Sequence, residues 1–151
     1  MSQGQGPLDG VRVVELSGAE AQFCGKLLAD LGADVIKVEP PGGEATRGIG
    51  PFLADQPGPD RSLSFWHYNT SKRGVTLDLE HPAGLDAFRR LVAHADVLLE
   101  SRAPGTLPAL GLGYETLSAD NPGLVMCSLT PFGQTGPWRD YVSSDLTHFA
   151  A

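Results

Sequence analysis

The stretch from Asp9 to Pro41, DGVRVVELSGAEAQFCGKLLADLGADVIKVEPP, constrains the fold more than any other part of the chain. Val11 to Leu16 is a short apolar run rich in β-branched residues, bounded by Gly10 and by Ser17-Gly18, as a buried parallel strand requires. Phe23, Leu27, Leu28 and Leu31 then recur at helical spacing, with Lys26 and Asp30 on the other side. That spacing predicts an amphipathic helix with the apolar stripe as its packing face. Gly32 stands where a helix ends in the left-handed conformation. Asp34 to Val38 is a second β-branched run. Strand, helix and strand in about 30 residues make a βαβ unit with a right-handed crossover. Sheets built from such units bind ligands beyond the carboxyl ends of their strands.

The rest of the chain extends this unit. Residues 1–8 read as a flexible arm and residues 9–151 as one domain. The turn Ser17 to Gln22 lacks G-x-G-x-x-G, and no Walker-type loop occurs elsewhere, which argues against the usual glycine devices for phosphate. Residues 40–60 form a Gly- and Pro-rich excursion of the length that loops reach when they line a site or wander over a surface; Arg47 is its one basic residue before Arg61. Ser62 to Tyr68 predicts a short packed segment, with His67 read as packed and hydrogen-bonded. Asn69 to Gly74 is a polar turn holding Lys72-Arg73, either solvated or gripping a phosphate. Val75, Leu77 and Leu79 alternate with Thr76 and Asp78 as a third strand. Pro82 to His94 is a helix with proline in its first turn. Asp96 to Glu100 is a fourth strand, followed by the loop Ser101 to Gly105. Short helical pieces over 107–117, a fifth strand over Leu124 to Leu129 and a glycine-rich loop to Pro137 follow. Leu146 to Ala151 reads as the opening of a helix capped by Ser143, Ser144 or Asp145, and HFAA carries no stop signal, so an element cut partway is expected. The expected fold is α/β: an open parallel sheet of about five strands with helices on its faces, incomplete.

Charge and motifs narrow the chemistry. Eighteen acidic against 11 basic residues, net −7, argue against a general nucleic-acid binder. No stretch approaches the ~20 apolar residues of a membrane span, and the polar start lacks a signal-peptide core, so a cytoplasmic protein is expected. Cys24 and Cys127 sit in apolar stretches and are expected as buried thiols. The four histidines and two cysteines show no metal spacing, and no G-x-S-x-G elbow is present. Carboxylates near strand ends are Glu15, Glu39, Glu100 and Asp145, the last also readable as a helix N-cap. The residues alone predict an α/β domain with a ligand edge. An unrelated nucleotide-binding module is disfavoured by the missing glycine fingerprint.

The ordered set PLDGVRVVEL, FCGKLLADLGADVIKVEPPGG, YNTSKRGVTLDL, ADVLLESRAPGTLPALGLGYETL, NPGLVMCSLTPFGQTGPWRD and SDL spans nearly the whole chain. In it the chain resembles the N-terminal part of a class III CoA-transferase, the CaiB/BaiF group, which includes formyl-CoA and carnitine CoA-transferases and the α-methylacyl-CoA racemases. The resemblance implies a Rossmann-like large domain completed by later sequence, a smaller second domain, and an interlocked homodimer or a second chain completing the fold. It implies no tightly bound cofactor, with coenzyme A or acyl-CoA as substrate and a carboxylic acid as the other partner. By position it implies CoA contacts from Leu77, Asp78 and Leu79 in the third strand, from Ser101 and Arg102 after the fourth, and from nearby Lys72 and Arg73.

The group's transferases attack the thioester with an aspartate, which by position lies beyond Ala151; Asp145 then sits near the acyl site without being the nucleophile. The resemblance therefore implies no catalytic residue in this chain and an inactive isolated portion. The racemases place a histidine where Ser144 stands, which favours a transferase over a racemase. A non-catalytic binding or assembly subunit of a split transferase is the alternative. Departures from the group's pattern are Glu20 to Gln22 where relatives read A-G-P, an arginine displaced by one place at Arg102, and Pro40 where some carry arginine. An isolated portion of this kind is also expected to self-associate through exposed apolar surface.

Overall fold

The structure is a computed structural model, described for residues 6–150. Five strands form one parallel sheet: β1 (Arg12–Leu16), β2 (Asp34–Glu39), β3 (Arg73–Thr76), β4 (Val97–Glu100) and β5 (Val125–Ser128), in the order β3-β2-β1-β4-β5. Between them run α1 (Gln22–Asp30), α2 (Leu63–Asn69), α3 (Pro82–Val92), α4 (Thr106–Ala109) and α5 (Tyr114–Asp120), with α6 (Asp145–Ala150) after β5. The chain builds outward from β1 to β3, then returns to lay β4 on the other side of β1. This is the doubly wound, Rossmann-like arrangement, with a topological switch point between β1 and β4. Alternation along each strand divides the core. Val14, Leu16, Val38 and Leu98 pack with Phe88, Val92, Leu107 and Leu117 on one face. Val13, Val35 and Leu99 pack with Ala21, Ala29 and Ala33 on the other.

α1 differs from its sequence pattern. Its buried residues are Gln22, Gly25 and Ala29, while Phe23, Leu27 and Leu31 of the apolar stripe are half exposed. The reason is what lies beneath. Glu15 and Lys37 point up from the sheet on this face and are shut from solvent. Lys37 Nζ lies 3.1 Å from Glu15 Oε1, and Lys72 Nζ, itself buried, lies 2.7 Å from Glu15 Oε2 as an ion pair. The helix must come down close to enclose these charges, and only small residues allow it. A Cβ on Gly25 would stand 1.8 Å from Glu15 Oε2. Gly32 ends α1 at φ +105°, with Gly32 N–H donating to Ala29 O and Ala33 N–H to Leu28 O, both at 3.0 Å, a Schellman turn.

Other boundaries moved for identifiable reasons. β3 stops at Thr76, so Leu77, Asp78 and Leu79 lie beyond the strand rather than in it. Its partner β2 runs into Pro40 and Pro41, which have no N–H to continue the ladder, and the last rung is Leu77 N–H to Glu39 O at 2.9 Å. α3 ends at Val92, where Asn121 Nδ2 donates to the carbonyls of Val92 (3.2 Å) and Ala95 (2.7 Å). Ser62 caps α2, accepting from Phe65 N–H at 3.0 Å. Of the three caps considered for α6, Ser144 serves: its Oγ accepts from Thr147 N–H at 3.4 Å, and Thr147 Oγ1 accepts from Ser144 N–H at 2.8 Å.

The excursion over 40–60 is ordered by Arg47. Its guanidinium bonds both Glu39 oxygens (2.5 and 2.8 Å) and Asp60 (3.0 Å), and lies 3.9 Å over the Phe65 ring. His67 is exposed and meets Tyr68 edge-on at 4.8 Å, not packed as expected. Cys24 is half-buried, and burial pushes its thiol pKa up; Cys127 is exposed on the edge strand β5. Of the expected arm, residues 1–5 lie outside the described residues, and Leu8 N–H bonds Leu31 O at 3.1 Å.

Gly25→Ala is expected to lower the unfolding free energy by about 3 kcal/mol or more, combining overpacking with disturbance of a buried ion pair. Urea denaturation followed by circular dichroism measures this, and a change within about 0.5 kcal/mol would show that α1 can lift without penalty.

Candidate functional site

Two adjoining clefts open at the carboxyl edge of the sheet, around the switch point. The larger, ≈ 740 Å³, is walled by Leu16, Pro40, Pro41, Leu77, Leu79, Leu107 and Leu110, with Asp78, Glu80, Arg102 and Thr106 at its polar margin. The smaller, ≈ 360 Å³, is lined by Ser17, Gly18, Glu20, Gly43, Glu44, Ser101 and Arg102. Pro40 and Arg102 belong to both. The walls arise from local rules already seen: the proline pair frees the end of β2, the unpaired end of β3 turns back, and the loop after β4 is pinned at its root. In that loop Ser101 N–H donates to Leu16 O (3.3 Å) and Arg102 N–H to Glu100 Oε2 (2.7 Å).

Of the residues singled out from sequence, Leu77, Asp78, Leu79 and Arg102 share the larger cleft, while Ser101 joins Arg102 in the smaller one. The Arg102 side chain is exposed and has no hydrogen bond or ion pair to another described residue. A free guanidinium at the junction of an apolar cleft and a polar one is suited to phosphate or carboxylate oxygens. Asp78 Oδ1 accepts from Glu80 N–H at 2.9 Å, shaping the turn.

Lys72 and Arg73 are elsewhere. Both stand at the amino end of β3, and neither lines the two clefts. Arg73 holds Asp34 with two bonds, 2.8 and 2.6 Å, and Lys72 donates to Gln22 O (2.8 Å) and Asn69 Oδ1 (2.9 Å) beside its pair with Glu15. Burial pushes the Lys72 pKa down from the ordinary lysine range, against the pull of Glu15. The Asp145 side chain lies outside the described residues, although its backbone opens α6.

Sequence reasoning did not single out Lys37, and it named Pro40 only as a departure from the group's pattern. A lysine inside the apolar run VIKVE was the available signal, because a charge in a doubly covered strand must find a partner. Glu20 and Glu44 also escaped attention as a pair. Their carboxylates both come close to Gly18, 3.2 and 3.5 Å from where its Cβ would be. Among the described residues no group of three or more His, Cys, Asp or Glu could hold a metal, and no helix is long and apolar enough to cross a membrane.

Comparison with known proteins adds ancestry. The family model described as CoA-transferase family III matches residues 8–151. The chain is 52% identical over 136 residues to the succinyl-CoA:(R)-benzylsuccinate CoA-transferase subunit BbsE of Thauera aromatica, covering 90% of this chain and 33% of that protein. It is 46% identical over 143 residues to the succinate–glutarate CoA-transferase of Agrobacterium fabrum, covering 92% and 36%. A crystal structure of a CAIB/BAIF family protein from Brucella suis superposes with a TM-score of 0.84 at 44% identity, covering 94% of this chain and 38% of that one. The chain thus spans about a third of the length of the curated relatives it matches.

The wall of the smaller cleft has a built-in acid limit. Hydrogen bonding to Arg47, and also to Glu44 N–H, holds the Glu39 carboxyl below the usual range against the opposing effect of burial. A carboxylate with a depressed folded pKa contributes stability that is fully present above its unfolded pKa and is lost as pH falls through the folded value. Wild type is therefore expected to unfold at a higher temperature than Glu39→Gln near pH 7. The two curves should converge below about pH 4. Thermal melts across that range check it, and a gap that stays constant with pH would sink the assignment.

Proposed function

This chain belongs to CoA-transferase family III, and on that premise we propose that it forms the CoA-binding first part of an acyl-CoA:carboxylate CoA-transferase. Residues 9–151 would be the beginning of its large domain. The observation that carries the reading is Arg102, a guanidinium with no ion pair among the described residues, where two clefts meet at the switch point of a doubly wound sheet. In this reading the apolar cleft between Pro40-Pro41, Leu77-Leu79 and Leu107-Leu110 takes the adenine end of CoA. Arg102 answers its phosphates, and the arm bearing the thiol runs toward Ser17, Gly18 and Ser101.

The reaction transfers CoA from an acyl-CoA to a free carboxylate. Two relatives are named for succinate or succinyl-CoA, so succinyl-CoA is the donor to assay first. In the proposed mechanism an aspartate attacks the thioester carbonyl and expels CoA thiolate, giving a mixed anhydride. The thiolate then attacks the aspartyl carbonyl, releasing the donor acid and leaving an aspartyl-CoA thioester, which the acceptor carboxylate resolves by the reverse pair of steps. By the family resemblance that aspartate lies beyond Ala151, so residues 1–151 bind CoA without turning it over. Later sequence or a second chain, in an interlocked homodimer, would complete the site. Among the described residues β5 lies at one edge of the sheet, and Val125, Val142 and Leu146 are exposed there and beyond, as this reading expects.

Calorimetric titration with free CoA tests the reading. Saturable binding is expected in the wild type, weakened about tenfold or more in Arg102→Ala and unchanged in Arg73→Ala, whose side chain is committed to Asp34. A folded wild-type chain that releases no binding heat, or an Arg102→Ala variant that binds as well, would count against it.

A further inference from the structure

Lys37 is buried in the middle of β2, and the proposed CoA contacts make no use of it. Its ammonium is 3.1 Å from Glu15 Oε1 and donates to the backbone oxygen of Ser17 at 2.8 Å. The Ser17 hydroxyl donates to the same Glu15 oxygen at 2.8 Å. Side chain and carbonyl of Ser17 are therefore both drawn inward, onto one buried ion pair.

The consequence lies one atom further on. In a trans peptide the C=O and the following N–H point in opposite directions. With the Ser17 carbonyl held by Lys37, the Gly18 N–H is turned away from the core, and it donates to Ser101 Oγ at 3.0 Å. That bond occupies a lone pair of the Ser101 oxygen. A hydroxyl has a single proton to give. The Gly18 N–H keeps that proton from pointing back at the β1–α1 loop, which leaves it for the cleft that Ser101 shares with Arg102.

We infer that Lys37 is a positioning residue for the ligand site: through the Ser17–Gly18 peptide it presents the Ser101 hydroxyl as a donor to an acceptor oxygen of the ligand, beside Arg102. This rests on the CoA reading of the same clefts and deepens it. Two kinds of oxygen on CoA fit, a phosphate oxygen and an amide carbonyl of the arm. Lys37 does not touch the ligand. Its role is separable from enclosing Glu15, whose other oxygen keeps Lys72 at 2.7 Å.

A double-mutant cycle on CoA affinity separates positioning from mere support. Wild type, Lys37→Met, Ser101→Ala and the double variant are titrated with CoA and with adenosine 3′,5′-bisphosphate, which lacks the arm. Each single change is expected to weaken CoA binding about tenfold, and the double variant no further, because the two act through one hydrogen bond. Loss confined to CoA assigns the hydroxyl to the arm; equal loss for both ligands assigns it to a phosphate. Lys37→Arg, which keeps a cationic donor, is expected to bind more tightly than Lys37→Met. Additive losses, about a hundredfold in the double variant, would overturn the inference. So would a silent Ser101→Ala, which decides the matter even if Lys37→Met does not fold. A wild-type chain that fails to bind CoA overturns the underlying reading, and this inference with it.

Discussion

A carboxylate enclosed between two lysines governs this half of the molecule. Glu15, Lys37 and Lys72 are removed from water, which costs several kcal/mol per charge before any pairing. Close contacts offset that cost: Glu15 is met by both ammonium groups and by the Ser17 hydroxyl, and the lysines also reach carbonyls of Ser17 and Gln22 and the side chain of Asn69. Such a centre tolerates no gap above it. It dictates a glycine at position 25, turns the apolar stripe of α1 outward, and ties the start of β3 to the middle of β1.

The same centre reaches the clefts. Its hydrogen bonds to Ser17 set the β1–α1 loop, which in turn meets Ser101 at the root of the loop after β4. The two loops flank the switch point, where β1 and β4 diverge in connectivity and leave a crevice. Glu39 and Arg47 perform a parallel task on the other wall, anchoring the excursion that carries Gly43 and Glu44. Buried charge on this face thus does what a glycine-rich fingerprint does in dinucleotide sites: it shapes the turn after the first strand, here without presenting a nest of backbone amides.

Much of the architecture was legible because it depends on local rules. Short apolar runs, Gly32 at a helix end and Pro82 at a helix start each announce an element without reference to distant contacts. The elements read less well were those decided by their neighbours. β3 looked three residues longer at its carboxyl end because alternation continues through Leu79, but a strand lasts only as long as its partner can pair, and Pro40 ends that. The inward face of α1 could not be read from hydrophobic spacing, since it is set by what the sheet presents beneath. For the site, Leu77, Asp78, Leu79, Ser101 and Arg102 follow from position after strand ends. Lys72 and Arg73 look equivalent in sequence, yet they stand at the start of a strand, where Arg73 bonds Asp34 and Lys72 turns inward to Glu15.

By itself the sequence determined the fold class, because periodicity and caps are local, and the family, through the ordered motifs that the chain shares with it. Only the tertiary structure decided which charges face one another. Glu15, Lys37 and Lys72 come from three different strands or strand approaches, and no spacing along the chain records that they share one buried point. The free guanidinium of Arg102 was likewise invisible in one dimension. That it stands where two clefts meet, with no ion pair to another described residue, is a property of packing.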